Sequence, residues 1–152
     1  MRVDVRNAHA KRIRIRPIRR VVQRLLEAEG AERAEVSILL ADDAMVRDLN
    51  AAYRGQDSPT DVLAFCLKES ESLEIHRAAC PGEPDILGDV VVSVDTAERQ
   101  AAARGVGLEH EVAHLALHGT LHLVGYDDST DEGLALMEQK AGRILASDCV
   151  SD

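Results

Sequence analysis

The sequence predicts an α+β fold, in which a small, mixed, mostly parallel sheet of about four strands is packed with helices. Three observations carry this expectation. Strand-like and helix-like patterns alternate through residues 1–105, and beyond Gly105 only helical patterns follow. Within that last part, "VAHLALHGTLHLV" is apolar nearly all round, which places its helix at the centre of the packing rather than on the surface.

Taken in order, "RVDV" (residues 2–5) and "IRIR" (13–16) alternate with a period of two, as short strands do. "PIRRVVQRLLEAEG" then reads as a helix with Pro17 in its first turn and Gly30 just past its end. "EVSILLA" (35–41) is a buried strand candidate, and Asp42 or Asp43 can cap a helix running through "AMVRDLNAAY". "RGQDSPT" has turn chemistry and "DVLAFCL" (61–67) looks like a strand. Residues 68–84, with Pro81, Gly82 and Pro84, read as an irregular loop. "ILGDVVVSV" (86–94) is the next strand, and Asp95 can cap a helix through "AERQAAAR" that stops at Gly105. The apolar helix begins after "GVG", and a final helix spans "DEGLALMEQKAGRILA" (131–146).

A chain of 152 residues with 45% hydrophobic content suits one domain spanning 1–152. Nothing approaches the roughly 20 apolar residues of a membrane helix. The first residues also lack the apolar centre of a secretory leader, so cytoplasm is expected and a membrane partner is not. Cys66, Cys80 and Cys149 are odd in number and far apart, so they read as ordinary reduced thiols. The net charge of −9 argues against a nucleic-acid partner only on average. Nine of the 18 Lys and Arg lie before position 25 with Asp4 as their sole acid, giving that segment +8 and the remainder −17. This segregation leaves open a local basic face, Lys11 to Arg24, that guides RNA, or simply a solvated surface.

The stretch "HEVAHLALHGTLHLVGYDD" (110–128) spaces His110, His114, His118 and His122 four apart. In a helix that step is about 6 Å along the axis and about 40° around it, so neighbouring histidines can share an ion. A third ligand must choose among the pairs, because catalytic zinc takes three protein ligands and keeps a position open. "HEVAH" matches the H-E-x-x-H zinc-peptidase pattern, with Glu111 as general base and Glu132 or Glu138 as a possible third ligand. His114 and His118 have no glutamate between them. The last pair, His118 and His122, is followed by Gly125, which can end the helix in the left-handed conformation, and by Asp128 six residues after His122. Six residues after His114 or His118 stand Thr120 and Val124, neither of them a ligand. His118, His122 and Asp128 are therefore the expected metal ligands, on a central buried helix, with Asp127 and Asp131 as fallbacks. Gly119 stands where a peptidase of this spacing carries its glutamate base. For His110 and His114 the expected roles are ordinary or supporting ones.

With this set chosen, the residues resemble the YbeY family of bacterial endoribonucleases, also described as ribosomal RNA maturation factors. The family's hallmark is H-G-x-L-H-L-x-G-Y-D-H, matched here by His118, Gly119, Leu121, His122, Leu123, Gly125, Tyr126 and Asp127. The likeness extends upstream through "LNAAYRGQDSPTDVLAF" and "ILGDVVVS", in the family's order. Two departures stand out: Asp128 where the family has histidine as third ligand, and Ala64 where it has serine. A carboxylate is an acceptable zinc ligand and makes the site less cationic. The resemblance implies zinc-dependent hydrolysis of single-stranded RNA, a role in small-subunit ribosomal RNA maturation and ribosome quality control, and small-subunit components as partners. It also implies that Arg54, which matches the family's functional arginine, is catalytic. A guanidinium fork suits a phosphate, and the competing reading is a salt bridge to Asp57 or Asp61. Few aromatics are present, which argues for weak sequence specificity. Outside the resemblance, a zinc peptidase using His110, Glu111 and His114, or a non-catalytic assembly factor with structural zinc, are the alternatives.

Overall fold

The computed structural model describes residues 1–58, 60–67 and 85–147. In chain order they form β1 (Arg2–Asn7), α1 (Ile15–Ala28), β2 (Ala34–Ala41), α2 (Asp43–Arg54), β3 (Val62–Cys66), β4 (Asp85–Ser93), α3 (Val94–Arg104), α4 (Leu108–Val124) and α5 (Asp131–Ser147). The strand order is β1-β2-β4-β3. β1 and β2 pair in parallel, as do β2 and β4, whereas β3 runs antiparallel to β4 on the edge. The fold is thus α+β with a mixed, mostly parallel four-stranded sheet, as the alternation of patterns predicts.

Side-chain pattern accounts for the strand positions. β1 buries Val3 and Val5 and exposes Arg2, Asp4 and Arg6, which suits an edge strand covered on one face. β4 buries Val90, Val91 and Val92 in succession, which suits an inner strand covered on both. Val36, Ile38 and Leu40 of β2 and Val90 and Val92 of β4 join the main core with residues of α1, α3, α4 and α5. On the opposite face Val91, Leu63 and Ala41 meet Val46 of α2 in a smaller cluster.

Two local expectations are corrected. "IRIR" forms no strand: Ile13 is buried ahead of the helix and α1 already starts at Ile15. Pro17, whose fixed φ fits a first helical turn, and the buried series Ile18, Val21, Val22, Leu25 and Leu26 draw these residues into the helix. Nor does Asp95 cap α3. Ser93 is the cap, its hydroxyl accepting from the Thr96 amide at 3.2 Å. The Asp95 carboxylate instead accepts from the Asp43 amide at 2.9 Å and pairs with His9 at 2.8 Å, tying β1's exit to the starts of α2 and α3. Asp42 does cap α2, accepting from the Met45 amide at 2.8 Å. The loop expected over 68–84 lies outside the described residues.

Helix α4 runs through the middle. Every residue from Glu111 to Leu117 is buried, whereas His118 and His122 are half-buried. Gly125 ends the helix at φ 114°, a conformation a side chain would strain, and the chain folds back there. The return is pinned: the Tyr126 hydroxyl donates to Glu29 at 2.5 Å, and Lys140 donates to Glu29 at 2.9 Å while lying 5.2 Å over the Tyr126 ring. No helix among the described residues is long and apolar enough to cross a membrane.

Candidate metal centre

The four-residue spacing sets the His118 and His122 rings edge to face, centroids 5.0 Å apart. The turn at Gly125 then brings Asp128 over both. Its Oδ2 lies 3.1 Å from Nε2 of His118 and 3.3 Å from Nε2 of His122. Ligands at about 2.0–2.2 Å around a tetrahedral zinc stand about 3.3–3.5 Å apart, so the donor set and its spacing fit such an ion. Among the described residues this is the one group of three whose ligand atoms lie within 4.8 Å of one another. Burial pushes the Asp128 carboxyl up, but its hydrogen bond to His118 and the charge of His122 together outweigh that and hold it below the usual carboxylate range.

Neighbouring acids are spent elsewhere. Asp127 accepts from the Ser129 hydroxyl at 2.7 Å and the Ser129 amide at 3.0 Å, a local turn that lifts Asp128 toward the histidines. The Ser129 hydroxyl, first, and its amide hold the Asp127 carboxyl below its ordinary value. Asp131 belongs to the first turn of α5. Gly119 faces the sheet, where a Cβ would lie 2.5 Å from Val90 Cγ1 and 3.1 Å from Val62 Cγ2. The position that carries a peptidase's base is thus filled by close helix-to-strand packing.

The three residues open on a cleft of about 400 Å³ walled by β3. Alternation along that edge strand turns Val62, Ala64 and Cys66 toward the cleft, while Leu63 packs against α2. Arg54, the last residue of α2, lines the same cleft. Its guanidinium donates to the Ala64 carbonyl at 2.5 Å and lies 5.6 Å over the Phe65 ring. The alternative partners are engaged otherwise: Asp57 accepts from Arg47 at 2.7 Å, and Asp61, itself a cleft residue, accepts from Gln100 at 3.2 Å. Asp61 was visible in the sequence only as a possible partner of Arg54, because its place beside the histidines depends on β3 packing along α4. Cys66 is a free thiol on the cleft wall, and Cys80 and Cys149 lie outside the described residues.

The H-E-x-x-H residues do not assemble as ligands. Glu111 is 1% exposed and is ion-paired by Arg104 at 3.1 Å, while His114 turns to Glu138 at 2.9 Å. His110 and Glu132 join no candidate metal group among the described residues. No residue from Lys11 to Arg24 lines the metal cleft. Lys11 pairs with Glu98, Arg14 pairs with Glu109 at 2.8 Å, and Arg19 donates to the Val3 carbonyl at 3.1 Å.

Comparison with known proteins shows the family and the fold. The family model described as endoribonuclease YbeY matches residues 4–147. The chain belongs to the YbeY family. Endoribonuclease YbeY of Moorella thermoacetica is 50% identical over 130 residues, covering 85% of this chain and 83% of that protein. The YbeY of Pelotomaculum thermopropionicum is 48% identical over 128 residues, covering 83% and 80%. That of Syntrophus aciditrophicus is 37% identical over 143 residues, covering 92% and 85%. The solution structure of a Thermotoga maritima protein shares the fold, with a TM-score of 0.63 at 22% identity over 95% of this chain and 90% of that one. As a YbeY chain, it falls among hydrolases of RNA.

Proposed function

We propose that this chain is a zinc-dependent endoribonuclease that cleaves phosphodiester bonds in single-stranded RNA, acting in the cytoplasm in small-subunit ribosomal RNA maturation and ribosome quality control. The observation that carries the proposal is the His118, His122 and Asp128 cluster facing Arg54 across one cleft in a chain of this family.

His118, His122 and Asp128 hold the ion. A zinc ion there supplies Lewis acidity toward a phosphate oxygen and makes water acidic enough to attack near neutral pH. Arg54 spends one N–H on the Ala64 carbonyl, which fixes the plane of its guanidinium at the cleft wall. Its other N–H groups are left to bind the scissile phosphate and to neutralise charge as the phosphorus becomes five-coordinate. β3 and Gly119 close the floor beneath the phosphate, since Val62 and Val90 leave no room there for a further side chain. A peptidase built on these same ligands would need a glutamate in place of Gly119.

The test is zinc analysis and cleavage of an internally labelled single-stranded RNA with wild type and two variants. His122→Ala is expected to lose both zinc and cleavage, and Arg54→Ala to keep zinc and lose cleavage. Full cleavage by His122→Ala would overturn the proposal.

A further inference from the structure

We infer that Glu138 is a positioning residue of the metal centre, fixing His118 in the tautomer that binds a cation through Nε2, and that Arg104, Glu111 and His114 serve to aim it. This rests on the metal reading above. It assigns a purpose to Glu111 and His114 of the H-E-x-x-H stretch, which the site itself leaves unused.

Glu111 is 1% exposed, and a carboxylate so placed requires a cation. Arg104 Nη1 supplies it, 3.1 Å and 3.2 Å from the two Glu111 oxygens, and stands 3.3 Å from Nδ1 of His114. Arg104 Nη1 is nearer to this nitrogen than the Glu111 oxygen, which stands 3.5 Å away, and a guanidinium only donates, so Nδ1 of His114 is the acceptor and the ring proton is on Nε2. That Nε2–H donates to Glu138 Oε2 at 2.9 Å. With one oxygen anchored, the other, Oε1, stands 3.9 Å from His118 Nδ1, outside direct hydrogen-bond reach but near enough for its negative charge to favour a proton on that nitrogen. On its far side the His118 ring points Nε2 at Asp128, 3.1 Å away. An imidazole that binds a cation through Nε2 carries its proton on Nδ1, and a carboxylate beside that nitrogen favours this tautomer, with a small closing movement on metal binding making the hydrogen bond. The relay runs from α3 through α4 to α5 and back to α4, so three helices brace one ligand.

The experiment measures zinc affinity of the full chain by competition with a chromophoric chelator, alongside unfolding of the metal-free protein. Glu138→Gln keeps the shape and removes the charge. It is expected to bind zinc 10–100-fold more weakly than wild type while the metal-free protein folds normally. In zinc-loaded protein, the His118 Nδ1–H proton resonance is expected far downfield in wild type and moved upfield, or lost to exchange, in Glu138→Gln. His114→Gln, whose amide can still donate to Glu138, is expected to hold zinc more tightly than His114→Leu. Glu132→Gln, on the same helix, is expected to match wild type. Wild-type affinity and an unmoved resonance in Glu138→Gln overturn the inference and leave the metal centre standing. Zinc binding that survives His122→Ala overturns both.

Discussion

Replacing Gly119 with alanine tests how closely the metal helix is seated. The added Cβ would lie 2.5 Å from Val90 Cγ1 and 3.1 Å from Val62 Cγ2, where carbon atoms at rest stand about 3.5–4.0 Å apart. Val90 is wholly buried, with a β-branched side chain that cannot swing aside, so α4 must move off the sheet by roughly 1 Å or the valine must leave its rotamer. Overpacking of this kind costs about 1–3 kcal/mol, and alanine returns at most about 1 kcal/mol in helix propensity. An approach of 2.5 Å to a wholly buried valine puts the cost in the upper half of that range, about 2–3 kcal/mol, so the expected net loss is about 1–2 kcal/mol, or some 2–8 °C in melting temperature for a chain of this size. Urea denaturation gives the value. Adding Val90→Ala should recover part of the loss, so the double variant should cost less than the two single variants combined by more than about 0.5 kcal/mol. Because the same movement shifts His118 and His122, zinc affinity should fall with stability. A Gly119→Ala protein as stable as wild type would refute the packing argument.

Arg54→Ala should lower turnover on RNA by about 100-fold or more with zinc content unchanged, and Arg54→Lys should recover little, because an ammonium cannot reproduce the fork; steady-state kinetics decides. Zinc at 100 times its dissociation constant should stabilise wild type by about 2.7 kcal/mol in a thermal scan, reversed by chelator and absent in His118→Ala. The Asp95 carboxyl is held below its ordinary value, first by the Asp43 amide and then by His9. A depressed folded value stabilises the native state above the unfolded value, about 4, and that contribution is lost as pH falls through the folded one. Stability of wild type followed from pH 6 to pH 2 should thus show an acid limb that is shallower in Asp95→Asn.

What was legible in the sequence was what short stretches dictate. His118, His122, Gly125 and Asp128 span eleven residues, and one helical turn plus one left-handed glycine fixes their relative positions almost without help from the rest of the chain. The mixed, mostly parallel sheet of about four strands was legible too, from the alternation of strand and helix patterns, whereas its order β1-β2-β4-β3 depends on pairings between distant segments. What was illegible depends on partners far along the chain. "IRIR" alternates like a strand, yet the residues that decide its state are the apolar ones of α1 that follow it. Asp95 has the chemistry of a cap, but Ser93 stands where the helix actually begins, and His9 and the Asp43 amide claim the aspartate. "HEVAH" reads as a metal motif until Arg104 and Glu138, brought in by two other helices, are seen to occupy Glu111 and His114. The packing role of Gly119 required knowing that Val90 lies beneath it.

The proposed metal centre places one cation between the end of α4 and the turn after it. Anomalous diffraction at the zinc edge from crystals of the zinc-loaded chain locates that cation without reference to activity. A single peak is expected about 2.0–2.2 Å from Nε2 of His118, Nε2 of His122 and an oxygen of Asp128. A peak between His110 and His114, or stoichiometric zinc with no density at Asp128, would contradict it.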